Sequence, residues 1–161
     1  MHATDVLVPP RKAFMYKHLL VPIDGSELSD RAVTASLDLA RSLGARVTGF
    51  VAEPMPPLPT MASNPAVYAR DSDEHLARTE AHARALLRRF GEHAAERGVA
   101  FDGKFQRTDA VDDAIVKAAD EFDCDLVVMV THGRGAFGEL LFGSHTRNVL
   151  SRCKRPLLVL H

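Results

Sequence analysis

Short hydrophobic runs alternate along the chain with segments in which apolar residues recur at helical spacing. The runs predict strands, and they are KHLLVPI (17–23), ARVTGFVAE (45–53), DLVVMV (125–130) and PLLVLH (156–161). VAFDGKFQRT (99–108) has a weaker pattern and predicts an edge strand. The helical spacing covers residues 28–43, 71–97, 109–122 and 144–154. Five strands that alternate with four helices are therefore expected.

This alternation predicts a single-domain α/β fold, a doubly wound five-stranded parallel sheet with right-handed crossovers and helices on both faces. The first and fourth strands are the most continuously apolar and should be central, which gives the order 3-2-1-4-5. Ligands of such sheets bind beyond the carboxyl ends of the strands, where the strand order reverses. Asp24 and the stretch that follows the fourth strand are both expected at that point.

Two segments fall outside the alternation. Residues 1–14 predict a flexible extension that lacks the apolar segment of a signal peptide, and the domain is placed at 15–161. Residues 53–70 contain five of the nine prolines and predict an irregular loop, with the next helix starting at about Asp71. A loop of that length is commonly a lid, a contact surface or disordered.

The composition excludes several function classes. The chain of 161 residues is long enough for one domain with a real core, and its formal net charge of −1 gives no basic field for nucleic acid. No apolar run is long enough to span a membrane. Two cysteines make no disulfide framework, so a reduced cytoplasmic setting is expected.

The stretch VMVTHGRGAFGELLFGSHTRNVL (128–150) contains glycine patterns that suggest a phosphate site. A dinucleotide fingerprint would need an acidic residue about 20 positions further on, where this chain has Leu158. A P-loop would need a lysine after Gly143, where this chain has Ser144. Two interpretations remain open: a helix start that binds an anion through its free N–H groups, or a flexible turn with Ser144 as an ordinary N-cap.

Isolated polar residues give weaker signals. His132 and His145 flank the glycine stretch and are interpreted as cavity walls or phosphate donors rather than as a general acid and base. Asp24 could line a pocket or could only shape a turn. His75 and His82 are expected on a solvated helix face, and Cys124 and Cys153 as small buried fillers. No catalytic residue and no metal site is predicted.

The closing segment of the chain and its beginning resemble the universal stress protein family. VTHGRGAFGELLFGSHTRNVLSRCKRPLLVL is similar to the closing segment of that family, whose nucleotide-binding members carry G-x-x-G-(nine residues)-G-[S/T]. Gly133, Gly143 and Ser144 match this motif, and Val130 stands in place of its first glycine. YKHLLVPIDGSELSDRAV resembles the opening strand and helix of the family, so the resemblance runs from Met15 to the end of the chain.

The resemblance implies a Rossmann-like sheet of order 3-2-1-4-5, an adenine nucleotide as the ligand, and a pocket in which Asp24 contacts adenine. Val51, at the end of the second strand, is expected to line the base pocket, and the glycine segment to hold the ribose and the phosphates. The implied nucleotide-binding residues are Pro22, Asp24, Val51, Met129, Thr131, His132, Gly133, Arg134, Gly143, Ser144 and His145. Arg134 could instead point to solvent.

The family also implies a function. We expect a dimeric stress-response protein of the cytoplasm, paired through strand 156–161, that binds ATP or AMP, with or without Mg²⁺, and hydrolyses ATP slowly at most. The β-branched Val130 should hinder ATP more than AMP because it adds bulk where the family has glycine. The alternative is a dimeric interaction module of the same fold that binds no nucleotide. An ATP-pyrophosphatase is a weaker third option, because IDGSELS (23–29) departs from the SGGxDS loop of that group.

Overall fold

The structure, a computed structural model, describes residues 16–61, 63–131 and 144–160. These residues form five strands and four helices in strict alternation. The strands are β1 (His18–Pro22), β2 (Arg46–Glu53), β3 (Phe101–Arg107), β4 (Leu126–Val130) and β5 (Leu157–Leu160). The helices are α1 (Glu27–Leu43), α2 (Pro65–Glu96), α3 (Val111–Glu121) and α4 (Ser144–Arg152).

The five strands form one parallel sheet in the order β3-β2-β1-β4-β5. This confirms the predicted fold class and strand order, and the weakly patterned third strand lies at an edge as expected. β1 and β4 are central, and the strand order reverses between them. Their carboxyl ends, Pro22 and Val130, therefore flank the position where ligands of such sheets bind.

Alternate residues of the central strands face two separate hydrophobic cores. Leu19, Val21 and Val51 pack on one face of the sheet against α1 and α2. Leu20 and Phe50 pack on the other face against α3 and α4. Because successive side chains of a strand point to opposite faces, a strand that is covered on both sides is apolar at every position. The continuous apolar runs of the sequence have this origin.

The start of α2 corrects the predicted loop at 53–70. Asn64 accepts a hydrogen bond from the backbone N–H of Ala66 at 3.0 Å, and Pro65 is the first helical residue. Proline is favoured there because the first N–H of a helix has no intrahelical partner and its φ angle is already helical. β2 ends at Glu53 and the helix begins at Pro65, before the predicted start at Asp71, so the irregular residues that the structure describes between them are 54–61, 63 and 64.

The 32 residues of α2 would extend for about 48 Å. The buried residues of this helix all lie in its C-terminal part, residues 79–96: Thr79, Ala83, Leu87, Phe90 and Ala94. None of the residues in its N-terminal part, 65–78, is buried. The C-terminal part packs on β2 and β3, whereas the N-terminal part has no buried face.

None of the helices within the described residues is long and apolar enough to cross a membrane.

Candidate functional site

A cavity of about 290 Å³ opens at the carboxyl ends of β1 and β4, where the strand order reverses. Its walls come from the loop after β1, the start of α1, the end of β2, and the starts of α3 and α4. The cavity thus lies where the sequence predicts a ligand site, and its size is near the lower end of the usual range for ligand pockets.

Apolar side chains line much of the cavity. Phe50 and Met129 project from the sheet and are 2% and 7% exposed, and Ile115 of α3 is 3% exposed. Ala52 and Val111 complete this surface beside them. Such a surface suits a flat, weakly polar group such as an aromatic base, because its burial there requires no ionised partner.

Asp24 lies at the rim of the cavity, immediately beyond β1. Its Oδ1 accepts a hydrogen bond from the backbone N–H of Ser26 at 3.0 Å, and its own N–H donates to Ser29 Oγ at 3.1 Å. Ser26, not Asp24, is the N-cap of α1. Asp24 therefore shapes the turn and also lines the cavity, and it remains exposed enough to accept a hydrogen bond from a ligand.

The beginning of α4 forms a polar wall that includes Ser144, His145 and Thr146. A helix start carries backbone N–H groups without intrahelical partners and a partial positive charge, both of which favour an anion. Thr146 is only 2% exposed, whereas Ser144 and His145 are exposed. The hydroxyl of Ser144 and the ring of His145 can therefore reach a ligand that enters from solvent.

Asp112 of α3 connects this wall to the neighbouring helix. His145 Nδ1 lies 2.5 Å from Asp112 Oδ1, and Asn148 Nδ2 donates to Asp112 Oδ2 at 2.6 Å. Partial burial by itself would raise the pKa of Asp112, but the hydrogen bonds from Asn148 and His145 outweigh it and lower that pKa below its ordinary value. The carboxyl group is therefore held as a fixed anion.

Val130 and Thr131 close the cavity at the end of β4. Val130 is half-buried and pairs in register with Leu160. The N–H of Thr131 donates to the carbonyl of Leu160 at 2.9 Å, and Thr131 is 2% exposed. The side chain at position 130 thus lies on the cavity surface where the sequence motif has glycine in other members of the resembled family.

The side chain of Val51, the predicted base-pocket residue, points away from the cavity. It is 1% exposed and packs in the core against α1 and α2, on the opposite face of the sheet. Its neighbours Phe50 and Ala52 line the cavity instead. A shift of one residue along a strand moves a side chain to the other face. In a strand that is apolar on both faces, hydrophobicity does not reveal such a shift.

The cavity brings together most of the predicted residues that the structure describes. Pro22, Asp24, Met129, Thr131, Ser144 and His145 all line it. The predicted positions His132, Gly133, Arg134 and Gly143 lie outside the described residues.

Sequence reasoning missed Phe50, Ala52, Ile115 and the supporting residue Asp112. For Phe50 and Ala52 the signal was their alternation with Val51. For Ile115 it was the helical spacing from Ala114 to Ala118. Nothing in the sequence linked Asp112 with His145, because the two residues meet only when α3 packs beside α4.

His75 and His82 lie on α2, away from the cavity. His75 Nε2 lies 3.2 Å from the carbonyl oxygen of Pro54, and His82 Nδ1 lies 2.6 Å from Oε1 of the buried Glu53. Within the described residues, no group of three or more His, Cys, Asp or Glu side chains is placed to hold a metal ion.

A buried polar contact at the amino ends of the strands has no counterpart in the predictions. His18 Nε2 lies 2.8 Å from Thr48 Oγ1 and 3.6 Å from Cys124 Sγ. Burial raises the pKa of Cys124 to about 11, so its thiol remains protonated and unreactive, as expected for a core filler. Cys153 is only half-buried.

Comparison with known proteins gives a family match over nearly the whole chain. The model of the universal stress protein family matches residues 15–161. A universal stress protein from Thermus aquaticus is 30% identical over 145 residues, which cover 90% of this chain and 98% of that protein.

Solved structures of the same fold include nucleotide complexes. A universal stress protein in complex with cAMP is 26% identical, with 91% of this chain and 97% of that chain covered and a TM-score of 0.64. A family protein from Arabidopsis thaliana with AMP bound is 15% identical, with 89% and 90% covered and a TM-score of 0.63, and at that identity the likeness concerns the fold.

Proposed function

Because the chain belongs to the universal stress protein family, we propose that it binds an adenine nucleotide in the cavity at the carboxyl ends of β1 and β4. The observation that carries the proposal is that this cavity combines an apolar surface with polar groups from two elements. Asp24 provides a carboxylate, and the start of α4 provides a hydroxyl, a histidine ring and backbone N–H groups. This combination matches the chemistry of a nucleotide, which joins an aromatic base to a phosphate.

The base fits the apolar surface formed by Phe50, Ile115 and Met129. The Asp24 carboxylate is an acceptor beside that surface, and the exocyclic amino group of adenine is a donor. Since one Asp24 oxygen already accepts from Ser26 N–H, the carboxylate is oriented before any ligand arrives. An oriented acceptor loses less entropy on binding than a mobile one.

The phosphate fits the start of α4. Ser144 contributes a hydroxyl, and the first N–H groups of the helix lack intrahelical acceptors. None of the described residues that line the cavity is a lysine or arginine. His145 is therefore the one described residue of the wall whose side chain can place a positive charge beside the phosphate.

AMP is proposed as a better ligand than ATP. The half-buried Val130 lies on the cavity surface, between the apolar region and the end of β5. Its branched side chain occupies space that a longer phosphate chain would need. A single phosphate needs less of this space.

The protein is further proposed to act as a homodimer rather than as an enzyme. β5 is an edge strand, and β4 is its partner within the described chain. All four residues of β5 are apolar and only half-buried, so they carry none of the charges that commonly protect an edge strand. Pairing of two β5 strands about a two-fold axis would satisfy the edge in both copies. The cytoplasm remains the expected location.

Calorimetric titration with AMP, comparing Asp24→Ala with Asp38→Ala, tests nucleotide binding. Asp38 is an exposed aspartate of α1 outside the cavity, where it pairs with Arg97 at 3.3 Å. We expect wild type and Asp38→Ala to bind AMP equally, and Asp24→Ala to bind about tenfold more weakly through loss of a hydrogen bond to a charged acceptor.

Circular dichroism melts of both variants establish that they are folded. Equal affinity of the two variants would remove Asp24 from the site. A folded wild type that binds neither AMP nor ATP would reject the proposal and favour the interaction module without a nucleotide. Mass spectrometry of small molecules released from the freshly purified, denatured protein checks independently for a ligand carried through purification.

A further inference from the structure

Asp112 of α3 and His145 of α4 form a close polar pair at the wall of the cavity. Both carboxylate oxygens of Asp112 are engaged, one by His145 Nδ1 at 2.5 Å and the other by Asn148 Nδ2 at 2.6 Å. Asp112 is 18% exposed, whereas His145 is 64% exposed and lines the cavity. A fixed, largely buried carboxylate thus supports a histidine that faces the ligand position.

The chemistry of this pair determines the proton arrangement of His145. An ionised carboxylate can only accept hydrogen bonds, so the close contact requires Nδ1 of His145 to carry a hydrogen. Nε2 is then the ring nitrogen that remains for a ligand. In the neutral ring Nε2 is an acceptor and is repelled by phosphate oxygens. In the imidazolium ring it is a donor and can form a charge-assisted hydrogen bond with them.

Charged groups of both signs lie around this wall. Among the described residues, α3 contributes Asp112 and Asp113, and the loop after β1 contributes Asp24 to the same cavity. The cations Arg147 and Arg152 lie on the same helix as His145, and Arg152 is paired with Asp113. Asp112 is therefore the charge in direct contact with His145, and it is negative.

We propose that Asp112 is a positioning residue that holds His145 as a phosphate donor, so that phosphate binding is coupled to protonation of His145. This inference rests on the proposed nucleotide site and extends it to proton linkage. The affinity for a phosphorylated ligand is stronger when His145 is protonated, and the affinity for the same nucleoside without phosphate is insensitive to it.

Titration with AMP and with adenosine at about pH 5.5 and pH 8.5 tests the coupling, since histidine in peptides is mostly protonated at the first pH and mostly neutral at the second. The phosphate of AMP has its own ionisation near pH 6, so variants are compared with wild type at each pH rather than across pH. The variants are His145→Gln, Asp112→Asn and the control His93→Gln. His93 also has Nδ1 beside a carboxylate, 3.4 Å from Glu96, but it lies on α2 outside this cavity.

His145→Gln is expected to weaken AMP binding about tenfold at the lower pH, the effect of one charge-assisted hydrogen bond, and less than about twofold at the higher pH. Adenosine affinity and all affinities of His93→Gln should equal those of wild type. Asp112→Asn should weaken AMP binding at the lower pH and leave adenosine binding unchanged, because the side chain that orients His145 is lost as an anion. A purely structural role of Asp112 would instead weaken AMP and adenosine alike at both pH values.

The outcomes separate the inference from the proposed function. AMP binding that His145→Gln leaves unchanged at both pH values would overturn the inference and leave the nucleotide site intact. An equal loss of AMP affinity at both pH values would also overturn it, because the side chain would then act without its proton. Absence of binding by wild type to AMP and adenosine at both pH values would reject the nucleotide site itself, and this inference with it.

Discussion

Replacement of Val130 by a smaller residue should raise the affinity for ATP relative to AMP and lower the stability of the protein. Val130 is half-buried, lines the cavity and is paired with Leu160 at the end of β4. Val130→Ala removes the branched methyl groups and keeps an ordinary backbone, whereas Val130→Gly also frees the backbone. Both changes should strengthen ATP binding relative to AMP, because both open the route past the end of β4 for a longer phosphate chain.

The magnitudes follow from the burial of this side chain. A fully buried valine contributes about 1.5–3 kcal/mol relative to an exposed one, so the half-buried Val130 contributes roughly 1 kcal/mol. Val130→Ala should therefore lower the free energy of unfolding by about 1 kcal/mol. Val130→Gly should lower it by about 0.5–1 kcal/mol more, through the extra backbone entropy of glycine in a strand. Relief of a steric conflict of about 1.4 kcal/mol would raise the ATP-to-AMP affinity ratio about tenfold.

Two assays measure these effects separately. Urea denaturation of ligand-free protein gives the stability change, since a bound nucleotide would stabilise the native state by mass action. Calorimetric titration with ATP and with AMP gives the affinity ratio. A ratio that rises in Val130→Gly but not in Val130→Ala would assign the effect to backbone freedom rather than to bulk. A ratio unchanged in both variants would refute the reasoning, and Val130 would then be no barrier to ATP.

Two further predictions concern the edge strand and the thiols. Val159→Lys in β5 should shift the mass in solution from dimer to monomer without loss of AMP binding, because it places a charge on the edge strand. The control Val67→Lys, at an exposed apolar position of α2, should leave the mass unchanged. Light scattering measures the mass, and a monomeric wild type at micromolar concentration would contradict the dimer. Iodoacetamide at pH 8 should modify the half-buried Cys153 of the native protein and leave Cys124 intact, since burial raises the pKa of Cys124 to about 11. Mass spectrometry of the treated protein counts the modified thiols. Rapid labelling of Cys124 would mean that the core opens at that site.

The fold could be predicted from the sequence because its signals are local. A few consecutive residues are enough to show whether a strand is buried on both faces, whether a helix has one apolar face, and whether a strand is central or at an edge. The start of α2 was missed although Asn64 and Pro65 are a favourable cap and first residue, because the prolines before them dominated the interpretation of that segment.

The candidate site was predictable only in part, for a different reason. Asp24 and Ser144 follow from their positions at the end of a strand and the start of a helix, which the chain order determines. Which side chains at the end of β2 face the cavity was not predictable, because a strand that is buried on both sides is apolar at every position and hydrophobicity does not distinguish Val51 from Phe50. The pairing of Asp112 with His145 depends on how α3 lies beside α4, and no local pattern encodes that placement.

The two parts of α2 are under different structural constraints. Substitutions in residues 79–96 alter the packing on β2 and β3, and through β2 they reach the cavity. Residues 65–78 are held by their own backbone hydrogen bonds, by surface pairs such as Arg70 with Glu74, and by polar contacts of His75 with Pro54 and of Arg107 with the Leu76 carbonyl. A turn could be added or deleted there, moving the proline-rich segment 54–64 by about 5.4 Å, without disturbing a single buried residue of the helix. The proline-rich segment and the N-terminal part of α2 can therefore vary in length while the ligand cavity stays the same.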